Sequence, residues 1–244
     1  MDLEAIRKEM TSAFLGDREY VKAAKDGYSD FSYPKLIKFM KFHTERYRVP
    51  GFGHFMTMQT HTAFGIELMT ASFMPGEGVS VPYCLIDIMT MGKKRTVFVE
   101  YYDCRAKECG TSPNGNSGQN ELAGSNEPFG AAEFPGLDEV AARFSNLQDY
   151  EEKPKWYVGE RTPYSLIKCG DAGNEKELED MILSSVRAYS AAADEAGSDP
   201  ANIAGLEAFR GRMINEGNPS SSVLEKVFGA EGAKDFFKSC VMPL

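Results

Sequence analysis

A single carboxylate, Asp87, lies in the middle of the otherwise uncharged segment VPYCLIDIM, residues 81–89. The apolar residues on both sides of it predict a strand whose two faces are both covered by other parts of the protein. Burial raises the pKa of a carboxyl group, so Asp87 can keep a proton near neutral pH and give it to a bound molecule. The alternative is a structural aspartate held by backbone amides or by an arginine.

Metal and thiol chemistry has less support in the sequence. The chain has five cysteines and no CxxC pair. Cys104 and Cys109 are spaced as C-x4-C, but no second pair or nearby histidine completes a zinc site, so we predict no bound metal. Reduced thiols, acidic residues where a secretory signal is basic, and the lack of a long uncharged apolar segment predict a cytoplasmic protein that does not enter the membrane.

The net charge of −9 argues against nucleic acid as a partner. Two basic clusters interrupt this acidic background. One lies within residues 35–48 and includes Lys38 and Lys41, and the other contains Lys93 and Lys94. Such clusters can steer an acidic protein partner towards one part of the surface, although solvated lysines on an exposed strand and turn explain each cluster equally well.

The first predicted element is a helix, since apolar residues recur at helical spacing over residues 3–14 and Gly16 ends the pattern. Residues 36–102 are rich in aromatic and β-branched residues and are divided by turns, which predicts consecutive antiparallel strands. Residues 105–130 are rich in Gly, Asn and Ser and predict a long loop.

The second half of the chain is mainly helical in its pattern. A short helix near 137–147 and a further strand over 156–168 are followed by helical spacing beyond Asn174. Helices before and after the sheet can cover both apolar faces of its central strand. The predicted fold class is therefore α/β, a three-layer α/β/α sandwich with a central antiparallel sheet, and residues 1–244 are predicted to form a single domain.

Short motifs occur in a fixed order along the sequence. They are Tyr47-x-x-Pro50-x-Phe52, Gly65-Ile66-Glu67-Leu68, Met74-Pro75, Pro82, Asp87-Ile88, Pro154-x-Trp156, Val223–Gly229 and Phe236-Phe237. No single motif is specific, but agreement of the whole ordered set is hard to obtain by chance. In this ordered set the sequence resembles the ferredoxin-dependent bilin reductases.

The resemblance implies that the sandwich encloses a linear tetrapyrrole, biliverdin IXα or a close relative. It also implies that single electrons arrive from an external iron-sulfur ferredoxin or a flavodoxin, with no flavin or metal bound by the protein itself. The pigment becomes a radical after each electron, so the protein's task is to deliver protons to chosen atoms. Asp87 matches the central aspartate of the family and is the implied proton donor.

Three other positions depart from the family pattern. The family's glutamate falls on Met58, the histidine that partners the central aspartate falls on Thr70, and the C-terminal aspartate falls on or beside Asn218. One retained acid fits a simpler reduction, such as the addition of two electrons at a methine bridge. Asn218 also has a structural alternative, since Asn218-Pro219 is typical of a helix start.

Side chains near these positions are candidates for pigment binding. A guanidinium can hold a propionate carboxylate bidentately, although most arginines on helices face water. Strand alternation places Thr70 on one face and Glu67 on the other, so Glu67 is expected to point away from a pigment. The substrate-binding candidates are Thr70, Met58, Asn218, Tyr83, Leu85, Arg210 and Arg212.

We expect a monomer whose electron donor docks at Lys38, Lys41, Lys93 and Lys94. Two other functions stay open at this point. Loss of the family's glutamate, histidine and second aspartate also fits a non-catalytic bilin carrier. A chlorophyll-catabolite-type reductase of the same superfamily would instead use a different open-chain tetrapyrrole.

Overall fold

The structure, a computed structural model, describes residues 1–34, 38–77, 79–104, 133–198, 200–218 and 221–244. The predicted loop at 105–130 and Cys109 lie outside these ranges. Within them, an antiparallel sheet of eight strands has the order β1-β3-β4-β5-β6-β7-β8, and β2 pairs with β3 beside β1. The strands are β1 (Val21–Lys22), β2 (Asp30–Tyr33), β3 (Met40–Val49), β4 (Gly53–Thr62), β5 (Ile66–Pro75), β6 (Tyr83–Met91), β7 (Lys94–Tyr102) and β8 (Leu166–Gly170).

Helices cover both faces of the sheet, which confirms the predicted three-layer α/β/α sandwich. One face is covered by α1 (Leu3–Leu15), α2 (Pro135–Arg143) and α3 (Glu175–Glu195), and the other by α4 (Pro200–Asn215), α5 (Ser221–Phe236) and a π-helical turn at Phe237–Val241. The helix α5 bends at Gly229, whose φ of 76° is not helical. Glycine allows this bend, because residues with a Cβ rarely adopt such a φ. None of the described helices is long and apolar enough to cross a membrane.

The first helix forms where the sequence predicts it. The side chain of Asp2 accepts hydrogen bonds from the backbone amides of Glu4 and Ala5 at 3.0 and 3.1 Å, which caps the helix start. Gly16 ends the helix with a φ of 47°. The apolar stripe is buried against the sheet and α3 and includes Leu3, Ile6, Met10 and Phe14.

Strand register decides which side chains surround Asp87. On β6, Asp87 lies opposite Thr70 of β5 and Phe98 of β7, and Thr70 lies opposite Met58 of β4. Because successive side chains of a strand point to opposite faces, these four share the face towards α4 and α5. Ile86 points to the other face and is fully buried in the core formed with α1 and α3.

The prediction of a strand over 156–168 is wrong in its first part. Trp156–Glu160 forms a 3-10 helical turn, and β8 begins only at Leu166. The Trp156 ring packs against Phe209 of α4, with 5.7 Å between ring centroids, so a tertiary contact holds this segment and not strand pairing. The strands β1 and β2 carry no clear sequence signal, because they are only two and four residues long.

Candidate active site

A cavity of about 490 Å³ lies on the sheet face that α4 and α5 cover, between the strands and the chain segment 150–161. Small-molecule sites occupy roughly 300–1,000 Å³ and combine apolar walls with a few convergent polar groups. Both features are present, since the polar side chains of Thr70, Asp87, Glu100 and Arg161 meet in this cavity. The apolar part of its floor is formed by Met40, Phe42, Met58, Leu68, Met89 and Phe98.

Asp87 lies on the floor of the cavity and is half-buried. The hydroxyl group of Thr70 donates a hydrogen bond to Asp87 Oδ1 at 2.5 Å. Burial raises the pKa of the Asp87 carboxyl to about 6, against the smaller opposing effect of the Thr70 hydrogen bond, which favours the charged form. The carboxyl group therefore exchanges its proton close to neutral pH, as a general acid requires.

Glu100, to which the sequence analysis assigns no role, is a second acid in the same cavity and is only 1% exposed. The Tyr102 hydroxyl donates a hydrogen bond to Glu100 Oε1 at 2.8 Å, and Arg161 Nε donates another at 2.7 Å. Burial raises the pKa of Glu100 to about 7 against the charge of Arg161, with a further upward contribution from Asp87. The sequence signal was a lone acid in the apolar strand VFVEYY, of the same kind as Asp87.

Arg161 holds Glu100 from the opposite wall of the cavity. It follows the 3-10 turn, and its guanidinium donates hydrogen bonds to Glu100 and also to Glu152, the latter at 3.1 Å. Burial by itself lowers the pKa of Arg161, but the hydrogen bond to Glu152 and the charge of Glu100 raise it above its ordinary value. The guanidinium therefore stays charged and is committed to two carboxylates of the protein.

The two acids differ in their partners, and this decides what each can do. Asp87 is held by a neutral hydroxyl and faces the cavity, so it can take its proton back without breaking an ion pair. Glu100 is tied to a permanent cation, and its proton is exchanged near neutral pH. Two acids with raised pKa values in one apolar cavity are typical of sites that transfer protons.

Three predicted residues lie next to Asp87. Met58 and Thr70 line the main cavity, and Leu85 lines a small adjoining pocket that also reaches Asp87. Strand register places all of them on the same sheet face. The positions agree with the expectation, and their part in binding stays a prediction.

Asn218 lines the same small pocket, so it is close to Asp87 in the fold. Its side-chain amide donates a hydrogen bond at 3.1 Å to the carbonyl of Met213, in the last turn of α4. This bond satisfies one of the carbonyls that a helix end leaves without a partner. The alternative of a helix start at Asn218-Pro219 depends on Pro219, which lies outside the described residues.

Tyr83 lines neither cavity, although the sequence places it among the substrate-binding candidates. Its side chain is fully buried, and its hydroxyl lies 3.1 Å from that of Ser72. Its ring stacks on Tyr102, with centroids 6.0 Å apart. Tyr83 therefore packs beside the site, on the same sheet face as Asp87, and contacts Tyr102, which in turn holds Glu100.

Arg210 and Arg212 also lie away from the cavity. Arg210 donates a hydrogen bond to the carbonyl of Met242 at 3.4 Å. Arg212 pairs with Glu160 at 3.1 Å and lies 4.1 Å from the centroid of the Trp156 ring. This geometry does not support their predicted role as propionate anchors, because each guanidinium is directed to a partner of its own. Within the described part of the chain, the arginine that lines the cavity is Arg161.

The four lysines predicted to dock an electron donor are all exposed at one end of the sheet. Lys41 lies at the start of β3 and Lys94 at the start of β7. The turns from β4 to β5 and from β6 to β7 lie at this same end of the sheet. Four strand spacings separate the two positions, or about 19 Å. Phe64, in the turn between β4 and β5, is 76% exposed beside them. The surface combines cations with an apolar side chain.

The alternation predicted for β5 is confirmed. Leu68 and Thr70 line the cavity, whereas Glu67 points to the other face and lies 3.1 Å from His61 Nδ1. Within the described ranges, no three or more His, Cys, Asp or Glu side chains are grouped so as to hold a metal ion. The apolar floor and the ionisable groups of the cavity suit an organic ligand.

Comparisons with known proteins bear on the fold. The chain is similar to the crystal structure of selenomethionine phytochromobilin synthase from tomato in complex with biliverdin, with a TM-score of 0.72 and 14% sequence identity over 97% of this chain and 81% of that chain. No protein-family model matches the sequence, and no curated protein does. At this identity the similarity shows a shared fold, and it confirms the architecture that the resemblance implied.

Proposed function

We propose that this protein reduces a linear tetrapyrrole of the biliverdin type, with electrons from an external ferredoxin or flavodoxin and protons from its own carboxyl groups. The observation that carries the proposal is Asp87, a carboxyl group of raised pKa on the floor of a ligand-sized cavity. The fold supports it, because the tomato phytochromobilin synthase with this architecture was solved with biliverdin bound.

The simplest reaction adds two electrons and two protons across one double bond of the conjugated chain. The first reduced donor transfers one electron to the pigment and dissociates in its oxidised form. The resulting pigment radical takes the proton of Asp87. A second electron and a second proton then complete the reduction, and the Asp87 carboxylate regains its proton from solvent. Glu100 is the second protein group able to exchange a proton in this cavity near neutral pH.

No flavin or metal of the protein's own takes part in the proposed reaction. Electrons reach the pigment from a donor docked at the end of the sheet where Lys38, Lys41, Lys93 and Lys94 are exposed. The residues on either side of Lys41, Met40 and Phe42, line the cavity. A donor bound at Lys41 is therefore separated from the pigment by about one residue of the strand, a few ångströms. Cations around an exposed apolar side chain suit an acidic redox partner.

The test is anaerobic incubation with biliverdin and reduced ferredoxin, followed by absorbance spectra and separation of products. The parent protein is expected to convert the pigment. Asp87→Asn keeps the size of the side chain but cannot donate the proton, so turnover should fall about a hundredfold or more while the pigment still binds. A radical intermediate is expected to accumulate in this variant.

Glu67→Gln is the matched control, because it removes a carboxylate from the neighbouring strand on the opposite sheet face. Its turnover should equal that of the parent. If Asp87→Asn reduces biliverdin as fast as the parent and Glu67→Gln do, Asp87 is not the proton donor.

A second candidate function is a non-catalytic bilin carrier. The neutral residues Met58 and Thr70 beside Asp87 favour it, because neither side chain is an acid or a base that could pass a proton to the carboxyl group. Tight biliverdin binding with no spectral change under reduced ferredoxin would support the carrier and contradict the reductase.

A further inference from the structure

The charged side chains around the cavity differ in whether they are already paired with another residue of the protein. Among the residues that the structure describes, four carboxyl groups and three cations line it. They are Asp87, Glu100, Glu151 and Glu152, and Lys153, Lys155 and Arg161. A ligand with two carboxylates of its own adds negative charge to this set, and each buried or half-buried carboxylate needs a cation or hydrogen-bond donors. A cation that is already paired with a carboxylate of the protein is less available to bind the ligand than an unpaired one.

Arg161 is already occupied. Its guanidinium is bound to the buried Glu100 and to Glu152, so a ligand carboxylate at Arg161 would displace a protein carboxylate. Leaving Glu100 buried without its partner is costly. Arg161 therefore organises the wall of the cavity and is a poor anchor for the ligand.

Lys153 and Lys155 are the two lining cations that are available to a ligand. Both are exposed and line the cavity, and neither has an ion-pair partner among the residues that the structure describes. The Lys155 ammonium lies 5.8 Å from the centroid of the Tyr157 ring, which also lines the cavity. The two lysines therefore lie at the solvent-exposed mouth of the cavity, on the side opposite the strands that form its floor.

The backbone between them is extended. Pro154 disfavours a helical conformation at Lys153, and Lys155 itself has φ −140° and ψ 154°. Two residues of extended chain span about 6–7 Å. This spacing suits two carboxylates that project from neighbouring rings of one ligand.

We propose that Lys153 and Lys155 bind the two propionate carboxylates of a linear tetrapyrrole and so turn its pyrrole nitrogens towards Asp87. The inference rests on the proposed function and adds to it the orientation of the substrate. It moves the carboxylate anchors from α4 to the segment that precedes the 3-10 turn. The propionates lie at the solvent-facing mouth, where their charge is least costly.

The test is a binding titration without an electron donor, followed by absorbance, with biliverdin and with its dimethyl ester. The ester has the same conjugated chain and no propionate charge. The parent protein should bind biliverdin more tightly than the ester. Lys153→Ala with Lys155→Ala should weaken biliverdin binding about tenfold, as expected for two solvent-exposed ion pairs, and leave the ester within about threefold.

Two further variants control for charge and folding. Lys153→Arg with Lys155→Arg should keep most of the preference for biliverdin over the ester. Lys8→Ala with Lys176→Ala removes the same total charge on α1 and α3, across the sheet from the cavity, from side chains that are 68% and 80% exposed. That control should bind both pigments as the parent does.

The outcomes separate this inference from the function on which it rests. A parent that binds biliverdin and the ester equally well, or a double alanine variant that keeps the parent's preference, overturns the anchoring role and leaves the reductase proposal standing. A parent that binds neither pigment overturns both.

Discussion

On the sheet face that α1, α2 and α3 cover, the side chains are packed as in an ordinary protein core. The rings of Phe14, Phe55 and Phe73 have centroids 4.8 to 5.2 Å apart. On the face towards α4 and α5, the same strands leave a cavity of about 490 Å³ in which Asp87 and Glu100 meet. Protein interiors seldom contain voids larger than a water molecule, so the second face is built to be filled by something else.

The strand β6 shows this difference within consecutive residues. Ile86 and Ile88 are buried in the packed core, and Asp87 between them faces the cavity. One strand therefore supplies stability through one face and chemistry through the other. The packed face keeps the strand in place, so the carboxyl group on the other face can be held at a fixed position without being tightly packed itself.

The largest expected effect is on the packed face. Phe73→Ala should lower the free energy of unfolding by about 3–5 kcal/mol, because it leaves a cavity among rings that are now in contact. Met58→Ala on the other face should cost only about 1–2 kcal/mol, since part of its side chain already borders open space. Urea denaturation measures both. Equal losses would show that the two faces are packed alike.

The ion pair in the cavity wall is the next most sensitive point. Arg161→Met leaves Glu100 buried without its cation and should lower the free energy of unfolding by about 3 kcal/mol at pH about 8. The loss should shrink at pH about 5, because Glu100 is then protonated and carries no charge. Adding Glu100→Gln should recover most of the loss at the higher pH. A loss that does not change with pH would contradict the assignment.

Asp87 should make the stability depend on pH in a defined direction. Its pKa is raised from 3.8 to about 6 in the folded protein, so the folded state holds this proton more tightly than the unfolded chain does. The stability contributed by Asp87 is complete below about pH 4 and is lost as the pH rises through about 6. Asp87→Asn should therefore gain stability relative to the parent as the pH rises between these limits, by up to about 3 kcal/mol. Denaturation of both proteins across this range measures it, and a constant difference would contradict it.

The smallest expected effect concerns the end of the sheet. Charge reversal to glutamate at Lys38 and Lys41, or at Lys93 and Lys94, should weaken donor docking by about tenfold or less and flatten its dependence on salt. Steady-state reduction at several ionic strengths measures this. Charge reversal at Lys8 and Lys176, on α1 and α3, is the control. If the control weakens docking as much, net charge and not this surface attracts the donor.

The packed face could largely be predicted from the sequence. Helical spacing in α1 and alternation in β5 are local patterns, and they are enough to show which residues turn towards a core. The same alternation separated Thr70 from Glu67 correctly. Segments held by distant contacts were less predictable, as the 3-10 turn at Trp156 shows, since its ring is positioned by Phe209.

The cavity face was predictable only in part. Asp87 stands out in its strand, but the anchors proposed on α4, Arg210 and Arg212, are directed elsewhere. Glu100, on the strand β7, and Arg161, on the opposite wall, are 61 residues apart in the chain. No spacing rule connects residues at such a separation.

The sequence by itself determined that one carboxyl group would lie in a strand covered on both sides, because the order of apolar side chains along a strand is a local property. Only the tertiary structure decided that a second carboxyl group joins it, which arginine restrains that group, and which lysines stay available to a ligand. Those outcomes depend on which distant segments come together, and electrostatic energies change steeply with the distance and burial that result.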